Sequence, residues 1–425
     1  MTTVEGTCDP AFSNVRDVFE RGFAEGREVG AAVAVYAGGR KVVDLWGGVA
    51  DHRTGRAWEA GTPCFAFSCT KAVTATAALL LAERGAYDVD GPVTDWWPEY
   101  GARGKEGTTA AHLLSHQAGL PAFARPVSAE EAADAPARAA ELAAQEPEWT
   151  PGDGHGYHAL TYGWLAGEIV RRLSGGRTVG EFAREEFTGD LDLWIGAPDA
   201  VIERAAKLTA RRPKPDGGNT RKGAATRGSA PAREGASAGE SGSGGGAEPG
   251  RAESGAAGRD GNVLARLAGA YTDPQSLLNR ALNNPHPGKG GYNNPVVLRA
   301  GWPSAGMLAT APGLAGFYRD LVAGRVLKPE TLRDALKPRV SGPDRTMLVD
   351  SAFGLGYMRP AVTFLTPAAG RDSAFGHTGA GGSIGLGDPE AGLALAYLPN
   401  LMGDTLSGDL RAYGLVEAAY SALAS

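Results

Sequence analysis

The sequence predicts a mixed α/β (α+β) fold: an antiparallel sheet built from both chain termini, flanked by helices, with a mainly helical part beside it. Three observations carry this reading. β-Rich runs stand near the N-terminus, at 31–36 and 41–46, and again near the C-terminus, at 383–387 and 393–398. The middle, about 109–207, shows helical spacing with charges on the outer faces. One stretch, 211–261, contains no Val, Ile, Leu, Met, Phe, Trp or Tyr and can contribute nothing to a core.

From the N-terminus, 12–25 has helical spacing, with Phe12, Val15, Val18, Phe19 and Phe23 along one side. The runs 31–36 and 41–46 are joined by AGGR, whose glycines supply the backbone angles of a tight turn, so they predict a hairpin. Residues 64–67 form a short strand-like lead into Ser68. From 69 to 84 the chain is rich in Ala and Leu, and it meets Gly85, a helix C-terminal signal. AAHLLSHQAGL, AEEAADAPARAAELAAQ and YGWLAGEIVRRLSG predict the helices of the middle, and LAGFYRDLVAG predicts a later one with a glycine stop. The segments 353–358, 383–387 and 393–398 read as strands, the last two joined by DPEAG; 410–423 reads as a terminal helix. The chain is expected to be one catalytic domain, 1–425. In it, about 10–95 and 300–425 form the α/β part and about 96–300 the mainly helical part. The stretch 211–261 cannot offset its ordering entropy by burial and is expected to be a disordered, low-complexity insertion.

Charge excludes several function classes. The 425 residues carry 42 basic and 48 acidic side chains, a net charge of −6. That gives no global reason to bind nucleic acid or an anionic membrane. The three cysteines, Cys8, Cys64 and Cys69, are odd in number and fit no close metal spacing, so a reducing compartment is expected. MTTVEGTCDP has no basic region followed by an apolar run, and no long apolar segment follows. A cytoplasmic protein without metal or cofactor is the expectation, its oligomeric state open.

Chemistry concentrates at three places. In FSCTKAVTATAALLLAERG, Ser68 opens a helix and Lys71 lies three residues on, so both side chains share one face. A helix N-terminus favours negative charge developing on a serine oxygen. A serine hydroxyl needs an adjacent base, and a lysine serves if burial lowers its pKa. The ordinary alternative is a capping serine followed by a solvated lysine. In WTPGDGHGYHALTYG, Tyr157 stands in a glycine-bounded turn before a helix. A tyrosinate near a lysinium can take and return the nucleophile's proton; alone, the residue reads as a core aromatic. In FGHTGAGGSIG, His377, Thr378 and Gly379 precede Ala380, whose backbone N–H could complete an oxyanion hole with that of Ser68. A glycine-rich turn with a surface histidine is the plain reading of that segment alone.

Taken in this order, the motifs make the sequence resemble the serine β-lactamase-like family, that is, class C β-lactamases, DD-peptidases and the esterases of the same fold. TTAAHLLSHQAGLP, WPSAGMLATAPGLAGFYRDLVAG and FGLGY extend the resemblance over about 12–421, except 211–261. It implies a β-lactamase/transpeptidase-like fold with Ser68 as nucleophile and Lys71 and Tyr157 as its proton-handling partners. It also implies oxyanion N–H groups at Ser68 and Ala380, and substrate contacts at His377, Thr378 and Gly379, with His158 a further candidate beside Tyr157. Two departures bear on substrate. The family's Tyr-x-Asn reads YHA, so Ala159 has no amide, and its Lys-Thr-Gly reads HTG, so a fixed cation is replaced by a titratable histidine. Both changes remove polar handles for penicillin-like substrates, a pattern similar to the family's carboxylesterases. The expected activity is cleavage of small or medium carboxylic esters. Acyl transfer or cyclising thioester cleavage in a biosynthetic pathway is the alternative. Hydrolysis of β-lactams or D-Ala-D-Ala peptides, or non-catalytic binding of an acyl ligand, stands behind these.

Other candidates read as structural. Gly235-Ala-Ser237-Ala-Gly239 matches a nucleophile elbow but lacks the strand and helix that elbow requires. His112 and His116 have a spacing that could bind metal, without a nearby carboxylate. His155 flanks Tyr157 on the other side from His158 and could touch substrate or tune the phenol.

Overall fold

Gly38 and Gly39, both left-handed at φ 55° and 78°, turn strand Gly30–Ala37 back onto strand Arg40–Asp51. Two glycines take such angles in succession at little steric cost. The computed structural model, which describes residues 2–209, 257–403, 405 and 407–424, builds the main sheet outward from this hairpin. The strand order is Val4–Cys8, Arg40–Asp51, Gly30–Ala37, Leu393–Pro399, Ile384–Asp388, Phe375–Thr378, with Arg56–Ala57 pairing to Arg40–Asp51. Every pairing is antiparallel. The two ends of the chain meet where Gly30–Ala37 runs beside Leu393–Pro399, with Val33 opposite Tyr397. The sheet is therefore assembled from both termini, as the sequence predicts.

The alternation of side chains assigns the two faces. Ala31, Val33 and Val35 join Phe12, Val15 and Phe19 of helix Ser13–Ala24, Phe12 lying in the turn just before it, and Leu415, Val416 and Ala419 of helix Leu410–Leu423. Ala32, Ala34, Ala394 and Ala396 join Leu314 and Leu321 of helix Ala311–Val322 on the other side. Strands covered on both faces read as continuous apolar runs, which is why GAAVAVYA and LALAYLP show no polar alternation. Helix Thr70–Glu83 is mostly apolar and is buried around its whole circumference over 70–81. It lies between strand Phe375–Thr378 and helix Tyr162–Leu173 of the mainly helical part. A second sheet, Cys64–Phe65, Met307–Ala309 and Leu193–Ile195, ties the lead into Ser68 to that part.

Three differences from the sequence reading have clear causes. AEEAADAPARAAELAAQ divides into Ala129–Ala132 and Ala135–Ala144, because the Asp134 side chain caps a new helix with Pro136 in its first turn. The segment 353–358 is not a strand: Asp350–Phe353 ends there, and the chain bends through Gly354 and Gly356. Gly356, at φ 82°, lies so close to the central helix that a Cβ would sit 2.3 Å from that of Ala75. Strand Val4–Cys8 is an added sheet edge, polar and largely exposed, so it lacks the apolar alternation that announces a strand. The stretch 211–261 lies outside the described residues as far as 256; from Ala257 the chain is helical to Thr272. Among the described residues no helix is long and apolar enough to cross a membrane.

Candidate active site

Ser68 sits in the single 3-10 turn Phe67–Cys69 that opens helix Thr70–Glu83. The residue before it, Phe67, is left-handed at φ 47°, an angle that costs a bulky side chain about 1–3 kcal/mol. The surroundings hold it there. Phe65 and Tyr292 pack edge-on against its ring at 4.7 and 5.1 Å. The Thr70 hydroxyl donates to the Phe67 carbonyl at 2.6 Å and accepts from the Met307 N–H at 3.1 Å. The turn that presents the serine is fixed from three sides.

Lys71 is fully buried, and its Nζ lies 3.2 Å from Ser68 Oγ. It donates to the carbonyls of Ala159 at 2.7 Å and Ser304 at 3.0 Å, and sits 4.8 Å from the centre of the Tyr157 ring. Burial holds its pKa well below the ordinary lysine range. A neutral amine has two N–H donors and one lone pair, which matches two carbonyls and one serine hydroxyl. Burial also raises the Tyr157 phenol, and a hydrogen bond with the Ser68 side chain opposes that shift. Both directions favour neutral forms. The direction at Lys71 is the one the sequence reading asks of a lysine base, and the direction at Tyr157 runs against a standing tyrosinate.

Tyr157 is held by a residue that the sequence does not announce. Asp344, 2% exposed, accepts the Tyr157 backbone N–H at 2.9 and 3.1 Å through its two oxygens. The same carboxylate accepts the N–H groups of Thr346 and Met347, each at 2.8 Å, and the Ser351 hydroxyl at 2.8 Å. Ser351 in turn lies 2.9 Å from His155 Nε2. An aspartate in the polar run GPDRT looks like a surface turn; nothing local tells that it closes onto residue 157.

The histidines divide by contact. His377 is fully buried, its Nδ1 is 2.6 Å from the Thr378 carbonyl, and its Nε2 has no hydrogen-bond partner among the described residues. Burial above all pushes it down to about 3. It is therefore neither a titrating cation at neutral pH nor part of the cavity wall, and its ring lies 5.9 Å from that of Tyr157. His158 also misses the cavity: its Nε2 accepts the Leu120 N–H at 2.9 Å, and its Nδ1 faces the Gly156 carbonyl at 2.6 Å. It braces the Tyr157 turn. His112 accepts the Thr109 N–H at the start of helix Ala110–Leu114, and His116, beyond that helix at φ 63°, packs 5.0 Å from the Tyr157 ring. The chain turns between them, so the helical spacing assumed for a shared metal does not exist. Ser237 lies outside the described residues.

Ser68, Tyr157, Ala159, Thr378 and Ala380 line one cavity of about 210 Å³. Thr378 Oγ1 is 2.6 Å from Ser407 Oγ at its polar end. Gly379 supplies closeness rather than a wall, since a Cβ there would sit 2.6 Å from the Ala66 carbonyl. Phe67, Leu160, Tyr292, Met347, Met358 and Met402 make the rest largely apolar. Among the described residues lining it, none is charged. A larger cavity of about 520 Å³, lined by Trp164, Glu168 and Trp302 among others, contains none of the motif residues.

A protein-family comparison decides the kinship: the Beta-lactamase model matches residues 15–420. The chain belongs to the Beta-lactamase family. That membership makes it a hydrolase. Esterase/beta-lactamase LipL of Mycobacterium tuberculosis (strain ATCC 25618 / H37Rv) is 31% identical over 408 residues, 93% of this chain and 83% of that protein. A family VIII carboxylesterase structure is 29% identical with a TM-score of 0.78, covering 99% of this chain and 100% of that one. A penicillin-binding protein homolog from Caulobacter crescentus is 32% identical with a TM-score of 0.77, over 99% and 100% of the two chains. Within the Beta-lactamase family, then, this member sets a half-buried serine beside a buried lysine and tyrosine, at a cavity with no charged residue among the described lining.

Proposed function

We propose that this chain is a carboxylesterase that cleaves small or medium carboxylic esters through a Ser68 acyl-enzyme. The observation that carries the reading is the cavity itself: Ser68 opens onto a small apolar space without a charged residue among the described lining. An acyl chain fits such a space, whereas a β-lactam or peptide carboxylate would be desolvated there without a counter-charge. Ala159 has no amide, and His377 is neutral and buried, so neither offers that grip. The relatives named for esterase activity support the same direction.

In the reaction, Ser68 Oγ attacks the ester carbonyl carbon as its proton moves to the neutral Lys71 amine. The backbone N–H groups of Ser68 and Ala380 take the charge that develops on the carbonyl oxygen. Tyr157, which lines the same cavity as Ser68, relays that proton to the departing alkoxide, which leaves as the alcohol. Water then attacks the acyl-enzyme, and the same groups return its proton to Ser68 Oγ as the carboxylic acid departs.

The test uses p-nitrophenyl butyrate with intact-protein mass spectrometry. Wild type should give turnover and a transient butyryl adduct, and Ser68→Ala should lose at least ~10³-fold in kcat and all adduct. A chromogenic cephalosporin should be turned over far more slowly than the ester. Equal kcat/KM for the two would overturn the esterase preference, and a labelled Ser68→Ala protein would overturn the nucleophile.

A further inference from the structure

Ala380 stands in the loop 379–383, and what holds that loop lies on its far side from Ser68. Gly381, at φ 80°, accepts two hydrogen bonds on its carbonyl: from the Gly403 N–H at 3.0 Å and from Arg411 Nη2 at 2.6 Å. Arg411 opens helix Leu410–Leu423, and its side chain is only 10% exposed. Its other N–H groups are also engaged. Nε and Nη2 donate to Asp409 at 3.1 and 2.8 Å. Nη1 donates to the Leu401 carbonyl at 3.1 Å, and to the Arg27 carbonyl and Glu28 at 3.3 Å each. A planar fork with every N–H bound in place has one geometry, which a lysine cannot reproduce.

The glycines of the loop fit this ion pair. A Cβ on Gly382 would sit 2.5 Å from Arg411 Nη2, and one on Gly403 would sit 2.5 Å from Asp409 Oδ2. Gly379 meets the opposite wall, the Ala66 backbone beside the nucleophile turn. The segment GAGGS is thus clamped between the serine turn on one side and the Arg411–Asp409 pair on the other. We infer that Arg411 is a positioning residue for ester cleavage: by fixing the Gly381 carbonyl, it holds the Ala380 N–H at the distance from Ser68 that the oxyanion needs. The inference rests on the assignment of Ala380 as an oxyanion donor.

The test compares Arg411→Lys, Ala380→Pro and wild type in p-nitrophenyl butyrate turnover and in affinity for butylboronic acid, whose serine adduct mimics the tetrahedral oxyanion. Gly379 is extended (φ −117°, ψ 152°), a conformation that accepts a following proline, so Ala380→Pro removes the N–H with little distortion. Arg411→Lys should lower kcat by about 10- to 100-fold with KM little changed, and weaken the boronate by the same factor. A variant with a lower melting temperature but wild-type kcat and boronate affinity would show Arg411 to be only a structural staple and overturn the inference. A loss confined to KM would do the same. Inactive Ala380→Pro beside unimpaired Arg411→Lys sinks the inference alone; fully active Ala380→Pro sinks the oxyanion assignment beneath it. Should Arg411→Lys not fold, Asp409→Asn replaces it. It loosens the anchor while keeping the fork, and unchanged kcat there is the overturning result.

Discussion

Lys71 and Asp344 are both buried groups whose surroundings fix one bonding pattern, and each makes a measurable demand. An amine depressed by burial becomes a base at lower pH than a free lysine does. If Lys71 is the base proposed above, its neutral form acts, and kcat/KM should rise with pH through the Lys71 titration and stay level above it until a second group ionises. His377, pushed down to about 3, stays neutral across that limb. Hence His377→Asn should leave the limb's midpoint in place, and Lys71→Arg, permanently charged, should be inactive at every pH. A midpoint that follows the histidine would assign the proton to the wrong residue. Asp344 accepts N–H groups of Tyr157, Thr346 and Met347 and the Ser351 hydroxyl. Asp344→Asn turns an acceptor into an NH₂ facing those donors. It should cost about 1–3 kcal/mol in urea unfolding. It should also lower kcat, since Tyr157 loses its backbone anchor. Wild-type kcat in a destabilised Asp344→Asn would confine that residue to stability.

Among the elements, the central helix Thr70–Glu83 decides how near its neighbours must come. It is Ala-rich where other chains cross it, and Gly356 crosses at Ala75. Gly356→Ala would bring a Cβ to 2.3 Å from Ala75 Cβ and 2.6 Å from the Tyr162 hydroxyl, at a φ of 82° that L residues avoid. Overpacking of this kind costs about 1–3 kcal/mol, and the backbone angle adds to it. The urea midpoint should drop accordingly. An unchanged midpoint would mean that the bend 354–357 yields freely and does not clamp the helix. The same bend explains the failed strand: FGLGY is apolar enough for a strand, but its glycines serve close approach instead.

At the scale of the whole molecule, the sheet joins residues more than three hundred positions apart, since Val33 pairs with Tyr397. Helix Leu410–Leu423 covers the same sheet face as Ser13–Ala24. Asn14 donates to the Ala418 carbonyl at 2.9 Å, and Tyr420 donates to Asp388 at 2.6 Å. A chain ending at residue 408 would expose that face and lose Arg411 with it. It should fail to give a cooperative thermal transition and should show no ester turnover, because Leu415, Val416, Ala419 and Tyr420 leave the buried cluster and domains are only marginally stable. A truncated chain that melts cooperatively near the wild-type temperature would show the terminal helix to be dispensable.

What the sequence determined alone is what depends on local periodicity and short spacing. The hairpin around AGGR, the helix after Ser68, the terminal helix and the strands at both ends follow from patterns within a few turns. The Ser68–Lys71 pair follows from helical geometry, and a later motif containing Ala380 follows from glycine content. The tertiary structure decided everything that depends on which distant groups share a space. It withdrew His158 from the cavity and made it a brace for the Tyr157 turn. It buried His377 until it no longer titrates near neutrality. It brought Asp344 onto Tyr157 from a polar turn with no period to mark it, and Arg411 onto Gly381 from a helix whose pattern shows the helix but not that contact. The physical reason is common to all four: burial and the partner of a hydrogen bond are properties of a packed neighbourhood, and a linear pattern carries them only where the neighbourhood is the chain's own next turn.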